Sequence, residues 1–169
     1  MVKIDIVVAN AGVELADVPV TDFTEEQFDR LFSVNTKGAY FTMQYAARNL
    51  ENNGRIINIS SSSAAFPFKG FAVYGGSKTA PAYLVEVLAK EIGLRGITVN
   101  SIVPYAVANA GIFTDLDTHS PSLKWISEMN PMAHMATVED VANVAEFFAS
   151  DLSSFVSGQH LLVNGGGSQ

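Results

Sequence analysis

The chain has 169 residues, 48% hydrophobic and 16% charged, with a formal net charge of -7 and no cysteine. Such a chain folds as one domain with a real core rather than as a disordered segment. Its acidity, without any Lys/Arg cluster, argues against nucleic acid as a partner, and the lack of cysteine excludes disulfides and thiolate metal sites. Met1-Val2-Lys3-Ile4-Asp5 does not read as a signal peptide, because Asp5 interrupts the apolar run. No apolar stretch approaches the ~18 residues of a membrane helix, so a cytoplasmic setting is expected.

Ile4 to Val8 is a short β-branched run ending at Ala9-Asn10-Ala11-Gly12. Apolar on both faces, it reads as a buried parallel strand. Thr24 to about Leu50 reads as helix: Thr24 and Gln27 form a capping box, Phe23 and Phe28 a hydrophobic staple, and Asn52-Asn53-Gly54 the stop. Asn35 falls inside it, either tolerated on a polar face or aimed, by side chain or freed carbonyl, at a site. Arg55 to Ser60 is a second strand running into four serines, Ser60 to Ser63. A serine run is usually a turn. At the carboxyl end of a strand it also lies where open α/β sheets place their sites.

Ala72 to about Gly93 is a second long helix, stopped by Gly93 or Gly96. Gly75 and Gly76 in its first turn weaken it by about 1 kcal/mol each against Ala, and close approach of a ligand is one reason to accept that. Ile97 to Val103 is a third strand, ended by Pro104. Residues 105–136 look irregular apart from a short helix near Ser122 to Glu128, and read as an apolar flap or a substrate lid. Val138 to Ser150 is a helix capped by Thr137 and Asp140, and Gln159 to Val163 a last strand before Gly165-Gly166-Gly167. Strands alternating with helices predict an α/β domain with a mainly parallel sheet.

The stretch from Ser61 to Lys78 carries the chemistry. Tyr74 and Lys78 are four residues apart and share one helix face. Two readings stand. The pair is a packed ring with a snorkelling amine, or the ammonium lowers the phenol below its reference pKa of about 10, so that it exchanges a proton with an alcohol or ketone oxygen. A serine upstream could hold that oxygen. His119, His134 and His160 lack metal-ligand spacing, Asp115 and Asp117 read as solvated loop charges, and no G-x-S-x-G elbow of a serine hydrolase occurs.

Taken in order, these residues resemble the classical short-chain dehydrogenase/reductase family over essentially the whole chain. The carriers are Asn10-Ala11-Gly12, Asn35 within Val34-Asn35-Thr36-Lys37-Gly38, and Asn58-Ile59-Ser60-Ser61. They continue with Ser61 thirteen residues before Tyr74, Tyr74-Gly75-Gly76-Ser77-Lys78, Val99-Asn100-Ser101-Ile102-Val103-Pro104, and Ser157-Gly158-Gln159 with Asn164-Gly165-Gly166. The resemblance implies a Rossmann-like, doubly wound sheet and hydride transfer between NAD or NADP and a secondary alcohol or ketone. It makes Tyr74 the acid/base, Lys78 the group that tunes it and holds the nicotinamide ribose, Ser61 the orienter of the substrate oxygen, and Asn35 the holder of a relay water. Asn10, Ala11, Gly12, Tyr74, Lys78, Pro104 and Val107 would meet the cofactor. It also implies a homo-oligomer, dimer or tetramer, paired through the helices at about 24–50 and 72–93 and through the last strand.

The chain departs from the family pattern in three places. No G-x-x-x-G-x-G or G-x-G-x-x-G occurs, and no helix follows Gly165-Gly166-Gly167 to make it a phosphate site. The expectation is therefore a partial domain over 1–169, the catalytic half, lacking the N-terminal glycine-rich half. Its first strand would have a bare apolar edge that another chain or further sequence covers. Tyr105 stands at a usual glycine, narrowing the pocket or pointing away, and Asn109 stands at a frequent threonine.

Overall fold

The computed structural model describes residues 3–114 and 123–167. Four strands, β1 (Ile4–Ala9), β2 (Leu50–Ile59), β3 (Thr98–Pro104) and β4 (His160–Val163), form a sheet in that spatial order. Every pairing is parallel. Parallel neighbours need crossovers, and helices supply them. From β1 to β2 run α1 (Glu25–Leu31), a π-helical turn (Phe32–Gly38) and α2 (Ala39–Asn49). From β2 to β3 run α3 (Ser62–Ala65) and α4 (Ala72–Ile92), and from β3 to β4 run α5 (Lys124–Glu128) and α6 (Val138–Ala149).

Side chains alternate across a strand, so adjacent residues feed different cores. Ile56 and Val99 pack under Met43, Ala46, Val85 and Leu88 of α2 and α4. Ile57 and Ile102 pack on the other face against Phe148 of α6. Helices therefore cover both faces, the doubly wound α/β arrangement expected. All seven residues of β3 are buried. At the sheet edge, β1 leaves Ile6 and Val8 each 45% exposed.

Both expected capping boxes form. Thr24 Oγ1 accepts from Gln27 N at 3.2 Å while Gln27 Oε1 accepts from Thr24 N at 3.0 Å. Thr137 and Asp140 make the same exchange. The first long helix is not continuous, however, because the π-helical turn interrupts it around Asn35. Nor does Asn52-Asn53-Gly54 end it. The helix stops at Asn49, and those residues bulge from β2, whose register with β1 jumps from Ile4–Leu50 to Ile6–Arg55. The α2 terminus is closed from a distance: the Arg95 guanidinium donates to the carbonyls of Ala47 and Leu50. α4 ends at Ile92 with Gly93 as its C-cap, and Gly96, at φ +70°, closes the tighter turn Gly93–Arg95 that follows.

The excursion after β3 is pinned at its neck, where Ala108 N donates to Ala136 O at 2.8 Å and Ala136 N to Ala106 O at 3.0 Å. Ala106, Ile126 and Met135 give it a small core. The helix expected near Ser122 is α5, and Ser122 itself lies outside the described residues. Among the described residues no helix is long and apolar enough to cross a membrane.

Candidate active site

The carboxyl ends of β1, β2 and β3 deliver three segments to one place. A cleft of about 250 Å³ opens there, lined by Ser61, Tyr74 and Lys78 together with Asn10, Gly12, Pro104 and Val107. Two expected site residues lie off its wall. Ala11 is exposed at the rim, and Asn35 sits behind the cleft, 1% exposed.

Each side chain is held by local structure. Ser61 caps α3: its Oγ accepts from Ser63 N at 3.3 Å and lies 2.9 Å from Ser63 Oγ. Tyr74 and Lys78, one turn apart on α4, are 8% and 7% exposed. Gly75 lets α4 lie against the serine turn, since a Cβ there would stand 2.6 Å from the Ser63 carbonyl oxygen. The close neighbour is therefore protein backbone and not a ligand, and Gly76 has no comparable contact, its nearest neighbour being Phe32 at 4.0 Å. Asn35 spends its side chain on the loop after β1. Its Nδ2 donates to Val13 O and its Oδ1 accepts from Val13 N, both at 2.8 Å, and Nδ2 also donates to Ser77 Oγ at 2.9 Å.

The electrostatics differ from the sequence expectation. The Tyr74 phenol is pushed up to about 12, first by burial and then by the Glu14 charge, with the Ser61 hydroxyl bond pulling the other way. Lys78 does not lower it. Its ammonium donates to the Ile59 carbonyl at 3.2 Å, and burial pushes Lys78 itself down, opposed by Glu14. Desolvation of the ring outweighs the lysine four residues on.

Glu14 is the residue that sequence reasoning missed. It lies two positions beyond Asn10-Ala11-Gly12, and a carboxylate at the exit of a parallel strand was the available signal. Burial pushes its carboxyl up, while the Ile112 N–H and the Lys78 charge pull it down. It also borders a second, smaller cavity of about 120 Å³, walled by Phe68, Phe71, Tyr105, Phe113 and Trp125 and opening on Ser61. Tyr105 faces in: its ring is 6.5 Å from that of Phe68, its hydroxyl donates to Met129 Sδ at 3.3 Å, and burial raises its phenol. Asn109 is exposed, at φ +58°.

Other candidates resolve into structure. His134 Nδ1 lies 2.9 Å from the Met135 carbonyl oxygen, and His160 pairs with Glu86 at 3.2 Å. Gly165 and Gly167 pack on Asn130. No cluster of metal-ligating groups occurs among the described residues. Asp115, Asp117 and His119 lie outside them.

A family model described as enoyl-(acyl carrier protein) reductase matches residues 1–168. The chain belongs to the short-chain dehydrogenase/reductase family. Within it the chain is 38% identical to (+)-borneol dehydrogenase 2 of Salvia officinalis, over 96% of this chain and 62% of that one. It is 37% identical to a short-chain type dehydrogenase/reductase of Picea abies, over 95% and 60%. The angucycline C-6 ketoreductase LanV, solved with bound NADP, superposes with a TM-score of 0.88 at 31% identity, covering 97% of this chain and 62% of that one. The chain thus spans a little under two thirds of the length of these relatives. NAD(P) is the cofactor of the family.

The residues present fit the nicotinamide half of such a cofactor. Lys78 Nζ lies beside Gly12, 3.0 Å from where a Cβ would stand there, so the lysine and the Asn10–Gly12 turn form one edge of the cleft. Pro104 and Val107 form the other. A glycine-rich pyrophosphate loop does not occur in the 169 residues.

Proposed function

We propose that the chain carries the catalytic site of an NAD(P)-dependent oxidoreductase that interconverts a secondary alcohol and a ketone, with Tyr74 as acid/base. The observation that supports this most is the buried Tyr74 sharing one cleft with Ser61 and Lys78 at the carboxyl end of a parallel sheet. Asn10, Gly12, Lys78, Pro104 and Val107 would hold the nicotinamide riboside. When bound, the nicotinamide supplies or accepts the hydride at the substrate carbon.

The protein's own part follows from its atoms. A ketone oxygen between Ser61 and Tyr74 accepts from both hydroxyls. As charge develops on that oxygen, Tyr74 gives up its proton to it. A phenol near 12 is protonated at neutral pH, so it is poised as an acid, for reduction, more than as a base. Asn35 contributes by fixing Val13, and with it the Asn10–Glu14 wall. The described residues 105–114 and 123–136 flank the substrate side as a lid.

A homo-oligomer belongs to the same proposal, because α2 leaves Phe41 and Tyr45 exposed at 53% and 62% and α4 leaves Tyr83 exposed at 70%. Sedimentation at several concentrations tests it, and a monomer throughout contradicts it. A second reading, an oligomeric binding scaffold without turnover, is favoured by one observation: the lack of a glycine-rich phosphate loop in the sequence. The deciding experiment is a panel of cyclic ketones incubated with NADH or NADPH. Cofactor oxidation that Ser61→Ala abolishes supports the oxidoreductase. Its absence for every ketone, with cofactor shown to bind, supports the scaffold.

A further inference from the structure

Glu14 has a position that the acid/base chemistry leaves unused. It lines both the catalytic cleft and the aromatic cavity, so it stands at the junction between them. Its carboxylate lies against the loop after β3, Oε2 standing 3.0 Å from where a Cβ on Gly111 would be. Its backbone is anchored next door, where Asn35 grips both polar atoms of Val13 at 2.8 Å. The side chain thus lies between the loop after β1 and the loop after β3. Lys78, the nearest cation, gives its hydrogen bond to the Ile59 carbonyl at 3.2 Å.

The surroundings make that carboxylate matter to whatever enters. Phe68, Phe71, Phe113 and Trp125 make its far wall apolar, hydroxyls enter only from Ser61–Ser63 and Tyr105, and no other carboxylate lines the aromatic cavity among the described residues. A half-buried carboxylate retains acceptor capacity, and leaving that capacity unmet is costly. A neutral hydroxyl satisfies it with a charge-assisted bond. A second anion meets repulsion instead.

We propose that Glu14 is the specificity-determining residue of this site: its carboxylate accepts a hydrogen bond from a second hydroxyl on the substrate, on the carbon next to the reacting one, and turns away substrates that carry an anionic group there. The favoured class is neutral vicinal diols and their hydroxyketones, with an apolar remainder in the aromatic cavity. The location of the reacting carbon rests on the oxidoreductase reading above, but the preference itself is a property of binding.

Calorimetric or ligand-observed NMR titration of the full chain tests it without turnover. The probes are trans-cyclohexane-1,2-diol, cyclohexanol and 2-hydroxycyclohexanecarboxylate, against wild type, Glu14→Gln, Glu14→Ala and Tyr74→Phe. Wild type should bind the diol about tenfold more tightly than cyclohexanol, the worth of one hydrogen bond to a charged group. Glu14→Ala should bring the two within about twofold. The isosteric Glu14→Gln should keep part of the diol preference while admitting the carboxylate probe, a split that a merely structural role would not produce. Tyr74→Phe should leave the diol-to-cyclohexanol ratio in place. Equal binding of diol and cyclohexanol by wild type, no binding of any probe, or a preference that survives in Glu14→Ala overturns the proposal. A preference intact in a chain that turns over no ketone would contradict the oxidoreductase reading and leave Glu14 in its role.

Discussion

The two walls of the cleft are held to different degrees. One wall, built by β2, β3 and α4, is the more deeply buried: every residue of β3 is covered, and Tyr74 and Lys78 are less than one tenth exposed. The other wall hangs from β1, which pairs only with β2 among the described strands and leaves Ile6 and Val8 nearly half exposed. Asn10, Ala11 and Gly12, which continue that strand, are exposed as well. The first wall holds the groups assigned to proton transfer together with Pro104 and Val107, and the second holds Asn10 and Gly12. Neither strand differs much in composition, since both are β-branched runs. Their neighbours make the difference, through the number of partners each strand and each face receives.

The largest expected effect belongs to the buried wall. Tyr74→Phe should lower kcat by about 10²–10⁴-fold while KM changes little, as removal of a general acid does. The sign of the pH dependence follows from the phenol near 12. The protonated acid is present throughout neutral pH, so ketone reduction should be level there. Alcohol oxidation needs the phenolate and should rise about tenfold per pH unit through pH 10. A plateau in oxidation below pH 9 would mean that the phenol is not held up by burial.

Next come the strands themselves. Ile102→Ala, at a site with 0% exposure, should cost about 2–5 kcal/mol in urea unfolding. Ile6→Ala at the edge should cost less than about 1 kcal/mol. Equal losses would erase the distinction between the walls. Asn35→Ala cuts the link between them and strands both polar atoms of Val13. It should cost about 1–3 kcal/mol and raise KM for cofactor more than it lowers kcat. Smallest is Ile6→Thr, within about 0.5 kcal/mol in stability. Its readout is reduced self-association of the bare edge in sedimentation.

Much of this was legible in the sequence because it is local. The Thr24–Gln27 and Thr137–Asp140 boxes, the alternation of strand and helix, and the spacing of Ser61, Tyr74 and Lys78 depend on residues a few positions apart. What was not legible depends on distant neighbours. Arg95 closes α2 from 45 residues beyond Leu50, so the Asn52-Asn53-Gly54 turn signal was read as a stop when it forms a bulge. Gly75 looked like room for a ligand because its partner, the Ser63 carbonyl, comes from another element. The Tyr74 phenol moves up rather than down, because its pKa follows burial and the Glu14 charge, neither visible in the i,i+4 spacing. Glu14 gave only the weak signal of a carboxylate at a strand exit, and its place between two cavities depends on the loop after β3.

The claim beneath all of these is that the described cleft holds the nicotinamide half of a dinucleotide by itself. Calorimetric titration of the 169-residue chain with reduced nicotinamide mononucleotide and with NADH tests it directly. The account predicts that both bind, with Kd values within about threefold of each other because no phosphate loop reads the adenylate half, and that Lys78→Ala weakens both by about tenfold. No binding of either at millimolar concentration, or binding indifferent to Lys78→Ala, would contradict it.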